Sequence, residues 1–334
     1  PYRWLEDDMS DETAEWVKAQ NEVTFAYLKG IEFRESIKER MTELWNYPKM
    51  GTPAKEGDLF IYSYNTGLQN QSVIYLTKDL KEKGDVFLDP NTFSEDGTTS
   101  LAGLSISRDQ KYAAYGISRG GSDWREFFVR DMESGKNLDD HLKWIKFSGM
   151  SWLGQAFFYT RYDQTKEGDE LKASNMNAKV FYHKAGTSQA EDVLIYKHAE
   201  HPERGFGVGV TEDEAFLIMS STESTSGNAL AFKKANTKKG GFTWLVKGHD
   251  KDYSLIGNLD NTLYILTNDD APNYRLMAVD AKAPARENWK ELIAEDEKNV
   301  LTGVSLAGGY LLATYISDAQ DKCYVLNTDG RLKH

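Results

Sequence analysis

Apolar positions recur along this chain in two rhythms, and the change between them falls near residue 48. From residue 10 to 30 the pattern is helical. Ser10 is placed to cap, Asp11 and Glu12 suit the positive end of a helix dipole, and Gly30 is placed to end the helix in the left-handed conformation. Ala14, Val17, Asn21, Thr24 and Leu28 share one face, with Trp16, Val23 and Tyr27 beside it. That face is only moderately apolar, which predicts packing against something supplied by another domain. A second short helix is predicted over residues 34–44, and Asn46-Tyr-Pro-Lys49 then breaks the helical period.

Beyond Pro53 short alternating or fully apolar runs are separated by Gly, Asn and Asp turns, the signature of strands and hairpins. Runs at 59–64, 112–118, 156–160, 215–220, 262–267 and 310–315 are each followed by a second, at 73–77, 126–131, 180–183, 229–233, 275–280 and 323–327. Further runs at 85–88, 192–196, 242–246 and 289–293 supply outer strands. The unit repeats every ~45 to 60 residues, which fits a four-stranded propeller blade and exceeds helical solenoid repeats. The predicted fold class is all-β: about six antiparallel blades of a β-propeller, preceded by two N-terminal α-helices. Residues 1–48 form the helical segment and 49–334 the propeller.

Composition narrows the function. With 334 residues, 40% apolar and 28% charged, the chain has ordinary globular composition, and its many Tyr, Phe and Trp residues favour strands. A formal charge of −12 repels phosphate backbones and anionic lipid, which argues against nucleic acid as a partner. The longest apolar runs are strand-sized, far below the roughly 20 residues of a membrane-spanning helix. Cys323 stands alone, so no internal disulfide is possible. These features describe a soluble protein and leave cytoplasm or periplasm equally open.

Gly116-Ile-Ser-Arg-Gly120 fits the G-x-S-x-G pattern of a hydrolase nucleophile elbow. An elbow needs a strand turning into a helix, whereas Ser118 ends one strand run and a second begins at about residue 125, so a hairpin is predicted. The histidines at 141, 183, 198, 201, 249 and 334 offer no helical His-Glu-x-x-His and no Cys neighbours. His198 and His201 are the close pair, beside Glu200, Pro202 and Glu203, and read as a polar loop between blades, with a metal site there as the lesser alternative. The acidic stretches 89–97 and 318–321 lack calcium-loop spacing. The pattern gives a metal site weak support, and no metal or cofactor is expected.

Three segments carry a family resemblance in the right order. They are Pro1-Tyr-Arg-Trp-Leu-Glu-Asp-Asp8, Tyr62-Ser-Tyr-Asn-Thr-Gly-Leu-Gln-Asn-Gln71 and Gly121-Ser-Asp-Trp124. Together they resemble the N-terminal segment and β-propeller of the prolyl oligopeptidases, a family of serine peptidases. The resemblance implies a seventh blade and a C-terminal α/β-hydrolase domain with the catalytic serine, aspartate and histidine, all after His334, so the chain itself is expected to be inactive. It implies residues upstream of Pro1 as well. Short proline-containing peptides are the implied substrates.

The same resemblance implies roles for individual residues. Asp123 would face the catalytic domain and hold a substrate-contacting arginine, although a turn aspartate bonding its local backbone, with Trp124 covering the blade edge, explains the motif equally. Phe147, in Trp144-Ile-Lys-Phe-Ser-Gly-Met-Ser-Trp152, would wall an outer substrate subsite; the alternative is an ordinary core aromatic. At Phe206, and at Ser221 and Ser224 in Ser220-Ser-Thr-Glu-Ser224, the chain departs from the methionine, arginine and cysteine that the family can place near those subsites. Two rival readings are a stand-alone propeller that binds peptides or proteins, and the propeller of a sibling such as oligopeptidase B.

Overall fold

The change of rhythm marks a real change of structure. Helix α1 spans Asp11–Lys29 and helix α2 spans Arg34–Trp45. The Ser10 hydroxyl accepts the Thr13 amide at 3.2 Å, which satisfies one of the free donors at the start of α1. Gly30 ends the helix, but not in the left-handed conformation expected of it. Its φ is −74°, and its amide reaches the carbonyls of Ala26 and Tyr27 at 3.3 and 3.0 Å, so the last turn tightens without any residue at positive φ. Helix α2 stops at Trp45, three residues before Pro48, and the first strand starts at Lys49. Within this chain α1 buries only Thr13 and α2 buries no residue.

This computed structural model describes residues 1–166, 168–237 and 241–334. The strands form six antiparallel sheets in chain order, the blades of a six-bladed β-propeller. Blade 1 contains Lys49–Met50, Ala54–Glu56, Leu59–Asn65, Val73–Thr77 and Asp85–Leu88. Blade 2 contains Thr99–Ile106, Tyr112–Arg119, Arg125–Asp131 and Asn137–Ile145; blade 3 contains Ser151–Leu153, Ala156–Arg161, Lys179–Lys184 and Val193–Lys197. Blade 4 is Gly205–Val210, Phe216–Thr222, Ala229–Lys234 and Thr243–Val246, and blade 5 is Tyr253–Leu259, Thr262–Thr267, Arg275–Asp280 and Lys290–Ile293. Blade 6 has three strands, Val300–Ala307, Tyr310–Ser317 and Gln320–Asn327. A short bridge from Leu326 to Leu332 lies along its last strand. No helix among the described residues is long and apolar enough to cross a membrane.

The residues cluster into two compact units. One is Pro1–Ser100 with Gln164–Ser174, the other Leu101–Asp163 with Asn175–His334. In the first, the Asn-Thr-Gly-Leu-Gln-Asn-Gln run is a turn closed by its own amides. Asn65 Oδ1 accepts the Gly67 amide at 2.9 Å, its Nδ2 donates to the Gln69 carbonyl at 2.9 Å, and Gln69 Oε1 accepts the Thr66 amide at 2.8 Å. Gln71 then donates to the Thr99 carbonyl at 2.8 Å. Gly67, at φ 150°, is required here, because a Cβ would sit 2.2 Å from the Asn46 side-chain oxygen.

In the second unit the core lies between blades. Phe127 and Leu142 of blade 2 pack with Phe157 and Tyr159 of blade 3, and Phe216 and Phe232 of blade 4 with Leu263 and Ile265 of blade 5. Leu266 and Leu276 of blade 5 meet Leu301 and Leu311 of blade 6. Each sheet is apolar on both faces, so burial requires its successor.

In blades 2 to 6 the sequence reading missed the first strand of every blade and the last strand of blade 2. In blades 2, 4, 5 and 6 glycine interrupts the alternation of the first strand, as at Gly103, Gly207, Gly209, Gly257 and Gly303, while that of blade 3, Ser151–Leu153, is only three residues long. The last strand of blade 2 carries Asp139-Asp-His141 at its centre, a poor strand signal. Its Asp140 is buried because it belongs to a charged network. His183 Nε2 lies 2.8 Å from Asp140 Oδ1 and its Nδ1 lies 2.6 Å from Asp192 Oδ1, while the Tyr159 hydroxyl also bonds Asp192. All three charged side chains are excluded from water. Burial opposes the imidazolium, but the hydrogen bonds and charges of Asp140 and Asp192 prevail and lift the His183 pKa to about 9.

Replacing His183 by Ala strands two buried carboxylates and is expected to cost about 3–5 kcal/mol in urea unfolding. The folded pKa lies above the ordinary 6.5, so the stabilisation is complete below 6.5 and is lost as pH rises through about 9. Unfolding measured across that window should show a decline in the wild type that His183→Gln lacks.

Candidate functional site

Strand direction alternates within each sheet, so the turn between second and third strands and the link to the next blade emerge at the same end. That rule gathers the residues singled out from the sequence. Asp123 and Trp124 lie in the second-to-third turn of blade 2, and Phe147 in the link from blade 2 to blade 3. Phe206 begins blade 4 just after the link from blade 3, while Ser221 and Ser224 stand at the second-to-third turn of blade 4. All six therefore belong to one end of the second unit.

The Gly-Ser-Asp-Trp turn is a hairpin, as predicted, in which Ser118 pairs with Arg125 across the strands. Ser118 is not perched on an elbow: its hydroxyl donates to the Ser122 carbonyl at 2.5 Å. Ser122 Oγ in turn accepts the Trp124 amide at 3.1 Å. The two serines thus do the local bonding that the turn explanation assigned to Asp123. The Asp123 carboxylate is exposed and makes no hydrogen bond or ion pair among the described residues.

Trp124 is half-buried. Its ring meets Trp144 and Tyr162 edge-on at 5.5 and 6.2 Å, carries the Lys146 ammonium 4.0 Å above its face, and packs against the cluster holding Phe206 and Met219. Lys146 is anchored in turn by Asn175 at 2.9 Å.

Phe147 is not a core aromatic, since 61% of it is exposed. Its backbone and that of Trp144 both lie in the left-handed region, at φ 53° and 63°. Two bulky aromatics there within four residues store strain of about 1–2 kcal/mol each. Neighbouring hydrogen bonds hold the link in place. The Trp144 carbonyl accepts the Tyr162 amide at 2.9 Å, and Ser148 Oγ accepts the Thr160 amide at 2.8 Å. A strained backbone that presents an apolar ring to solvent is a feature of binding surfaces rather than of packing.

Phe206 is buried against Tyr196, and Ser221 is buried 3.4 Å from His249 Nε2, so neither is open to solvent. Ser224 is exposed and borders a cleft of about 760 Å3, whose lining includes Gly207, Gly209, Ser220, Ser254 and Ser305. Cβ atoms added at Gly207 and Gly209 would meet nothing within 4 Å, so glycine keeps this wall open.

One grouping was not foreseen. The link from blade 3 to blade 4 folds His198 and His201 against Arg204, whose Nε and Nη2 both donate to Glu223 Oε1, at 2.8 and 2.6 Å. Arg204 holds the Glu223 carboxyl below its usual range, and burial pushes the neighbouring His249 down. The close pair His198/His201 was visible in the sequence, but Glu223 arrives from the next blade, which no spacing rule reveals.

Over residues 1–334 the chain matches the family described as "Prolyl oligopeptidase, N-terminal beta-propeller domain". The chain belongs to the prolyl oligopeptidase family. It is 42% identical over 333 residues to the prolyl endopeptidase of Elizabethkingia meningoseptica, a match covering 99% of this chain and 47% of that protein. It is 35% identical to prolyl oligopeptidase A of Amanita bisporigera, again over 99% of this chain and 47% of the relative. Among solved structures, prolyl oligopeptidase B from Galerina marginata, bound to a 35mer hydrolysis and macrocyclization substrate, superimposes with a TM-score of 0.89 at 31% identity. That match covers all of this chain and 50% of the other. The chain thus spans about half the length of the prolyl oligopeptidases it matches.

Phe147→Gly relieves a left-handed backbone and removes little burial, so it should change unfolding stability by less than about 1 kcal/mol. Trp124→Ala empties a packed, partly buried site and should cost about 2–3 kcal/mol, measured in the same urea series.

Proposed function

We propose that this chain is the propeller part of a prolyl oligopeptidase-like serine endopeptidase and that it admits short peptides to a C-terminal α/β-hydrolase domain that cleaves after proline. The observation that carries the reading is the family match over residues 1–334 to relatives about twice as long, three segments of which are legible in the sequence itself. In this reading the hydrolase part supplies the serine, histidine and aspartate of an acyl-enzyme mechanism. The propeller restricts access and shelters the reaction from bulk water. Asp123, exposed with an uncommitted carboxylate, orients a guanidinium of the catalytic part through a charge-assisted pair. Phe147 offers its exposed ring to substrate. Phe206 and Ser221, both buried, act on the subsite through packing, and Ser224 borders the cleft.

Docking of the hydrolase part is assigned to the helices. Ile37, Met41, Leu44 and Trp45 line an apolar cleft of about 630 Å3 with Leu68, and all five are exposed in this chain. A helix face of this kind is covered in a larger protein. Residues 1–48 are therefore proposed to clasp the catalytic domain, while 49–334 serve as the gate.

The decisive assay uses the full-length protein with reporter peptides bearing Pro or Arg before the scissile bond. Preference for Pro is expected, and preference for Arg would assign the chain to the oligopeptidase B branch instead. The 334-residue chain alone should give no turnover above background, and Asp123→Ala in the full-length enzyme should lower kcat/KM for Pro peptides by about 10- to 100-fold. Ile37→Asp combined with Met41→Asp should leave the unfolding of the chain alone within about 0.5 kcal/mol, yet lower the Tm of the full-length protein. An unchanged full-length Tm would refute docking on α2.

A further inference from the structure

His201, Glu203 and Glu223 are ligand-type side chains that the peptidase reading leaves without a task. Each offers one donor atom, and the three atoms lie within 4.8 Å of one another. We propose that these three residues bind a divalent transition-metal ion of the zinc class, clamping the link between blades 3 and 4 to the second-to-third turn of blade 4.

The donor set selects the ion. One imidazole nitrogen and two carboxylates suit borderline ions such as Zn2+, whereas calcium takes six to eight oxygens. Four-coordinate zinc with ligands at ~2.0–2.2 Å spaces its donors about 3.4 Å apart. His201 Nδ1 and Glu203 Oε1 already stand at 3.1 Å, and the Glu223 donor lies within 4.8 Å of both. The three side chains are 43%, 47% and 37% exposed, so an ion reaches them from solvent.

The surroundings prepare these ligands. Both Arg204 nitrogens donate to the same oxygen of Glu223, Oε1, which fixes the carboxylate and leaves Oε2 for the ion. An orienting partner of this kind is a regular feature of metal-binding carboxylates. His198 packs its ring 4.9 Å from that of His201 and accepts the His201 amide at 3.2 Å, holding the link in its turn. Two carboxylates against one guanidinium leave the cluster negative, which favours a dication. The inference does not depend on peptidase activity, because its test reads binding alone.

Calorimetric titration of the purified protein with zinc chloride at neutral pH should show one ion bound per chain. Loss of an outer partner of a metal ligand costs about 10- to 100-fold in affinity, so His201→Ala, Glu203→Gln and Glu223→Gln should each weaken binding by at least about 100-fold. His141→Ala, at the separate His141 and Glu126 pair, should bind as the wild type does. Cobalt(II) in place of zinc should give visible d–d bands that vanish in His201→Ala, while circular dichroism shows that variant folded. Absence of saturable binding at ~100 μM zinc, or binding that survives in the His201 and Glu223 variants, would overturn the proposal.

Discussion

The two-faced hydrophobicity of the blades is the constraint on which the second unit depends. A sheet such as Phe216–Thr222 with Ala229–Lys234 carries apolar side chains on both sides, so it packs against a predecessor and a successor. The clusters that straddle blades 2 and 3, 3 and 4, 4 and 5, and 5 and 6 are the outcome. Each blade is stabilised mainly by its neighbours, as in other repeat architectures. His183 enters this core held between the carboxylates of Asp140 and Asp192, the second of which also takes the Tyr159 hydroxyl.

Alternating strand direction has a functional consequence. It brings every second-to-third turn and every interblade link of the second unit to one end, which collects Asp123, Phe147, Phe206 and Ser224 although they span about a hundred residues. The other end is built differently. Ser107-x-Asp109 and Thr211-x-Asp213 each close a first-to-second turn with the hydroxyl on the aspartate at 2.8 Å, followed by a residue at positive φ, Gln110 or Glu214. Both ends thus hold residues at positive φ, but at the first end they are the bulky aromatics Trp144 and Phe147.

The sequence was legible wherever burial follows a simple period. Strands Val73–Thr77, Asp85–Leu88, Thr262–Thr267 and Arg275–Asp280 were located to the residue, and both helices to within a residue or two. Most first strands were missed because glycine interrupts their pattern, and that of blade 3 because it is three residues long, although the Ser/Thr-x-Asp turn that ends two of them was available as a signal. In the site, the hairpin at Ser118 followed from local spacing alone. The uncommitted Asp123 did not, because Ser118 and Ser122 take over its expected bonds only once the turn has closed.

Local chemistry along the chain therefore decided the kind of elements present, their repetition and the family. Period, capping and turn residues act between near neighbours, and near neighbours are what a sequence displays. Tertiary structure alone decided the pairing of His183 with Asp140 across 43 residues, the meeting of Glu223 with His201, and the exposure of Phe147 in place of burial. Those outcomes depend on how successive sheets stack, and stacking brings together side chains whose separation along the chain carries no signal of their contact.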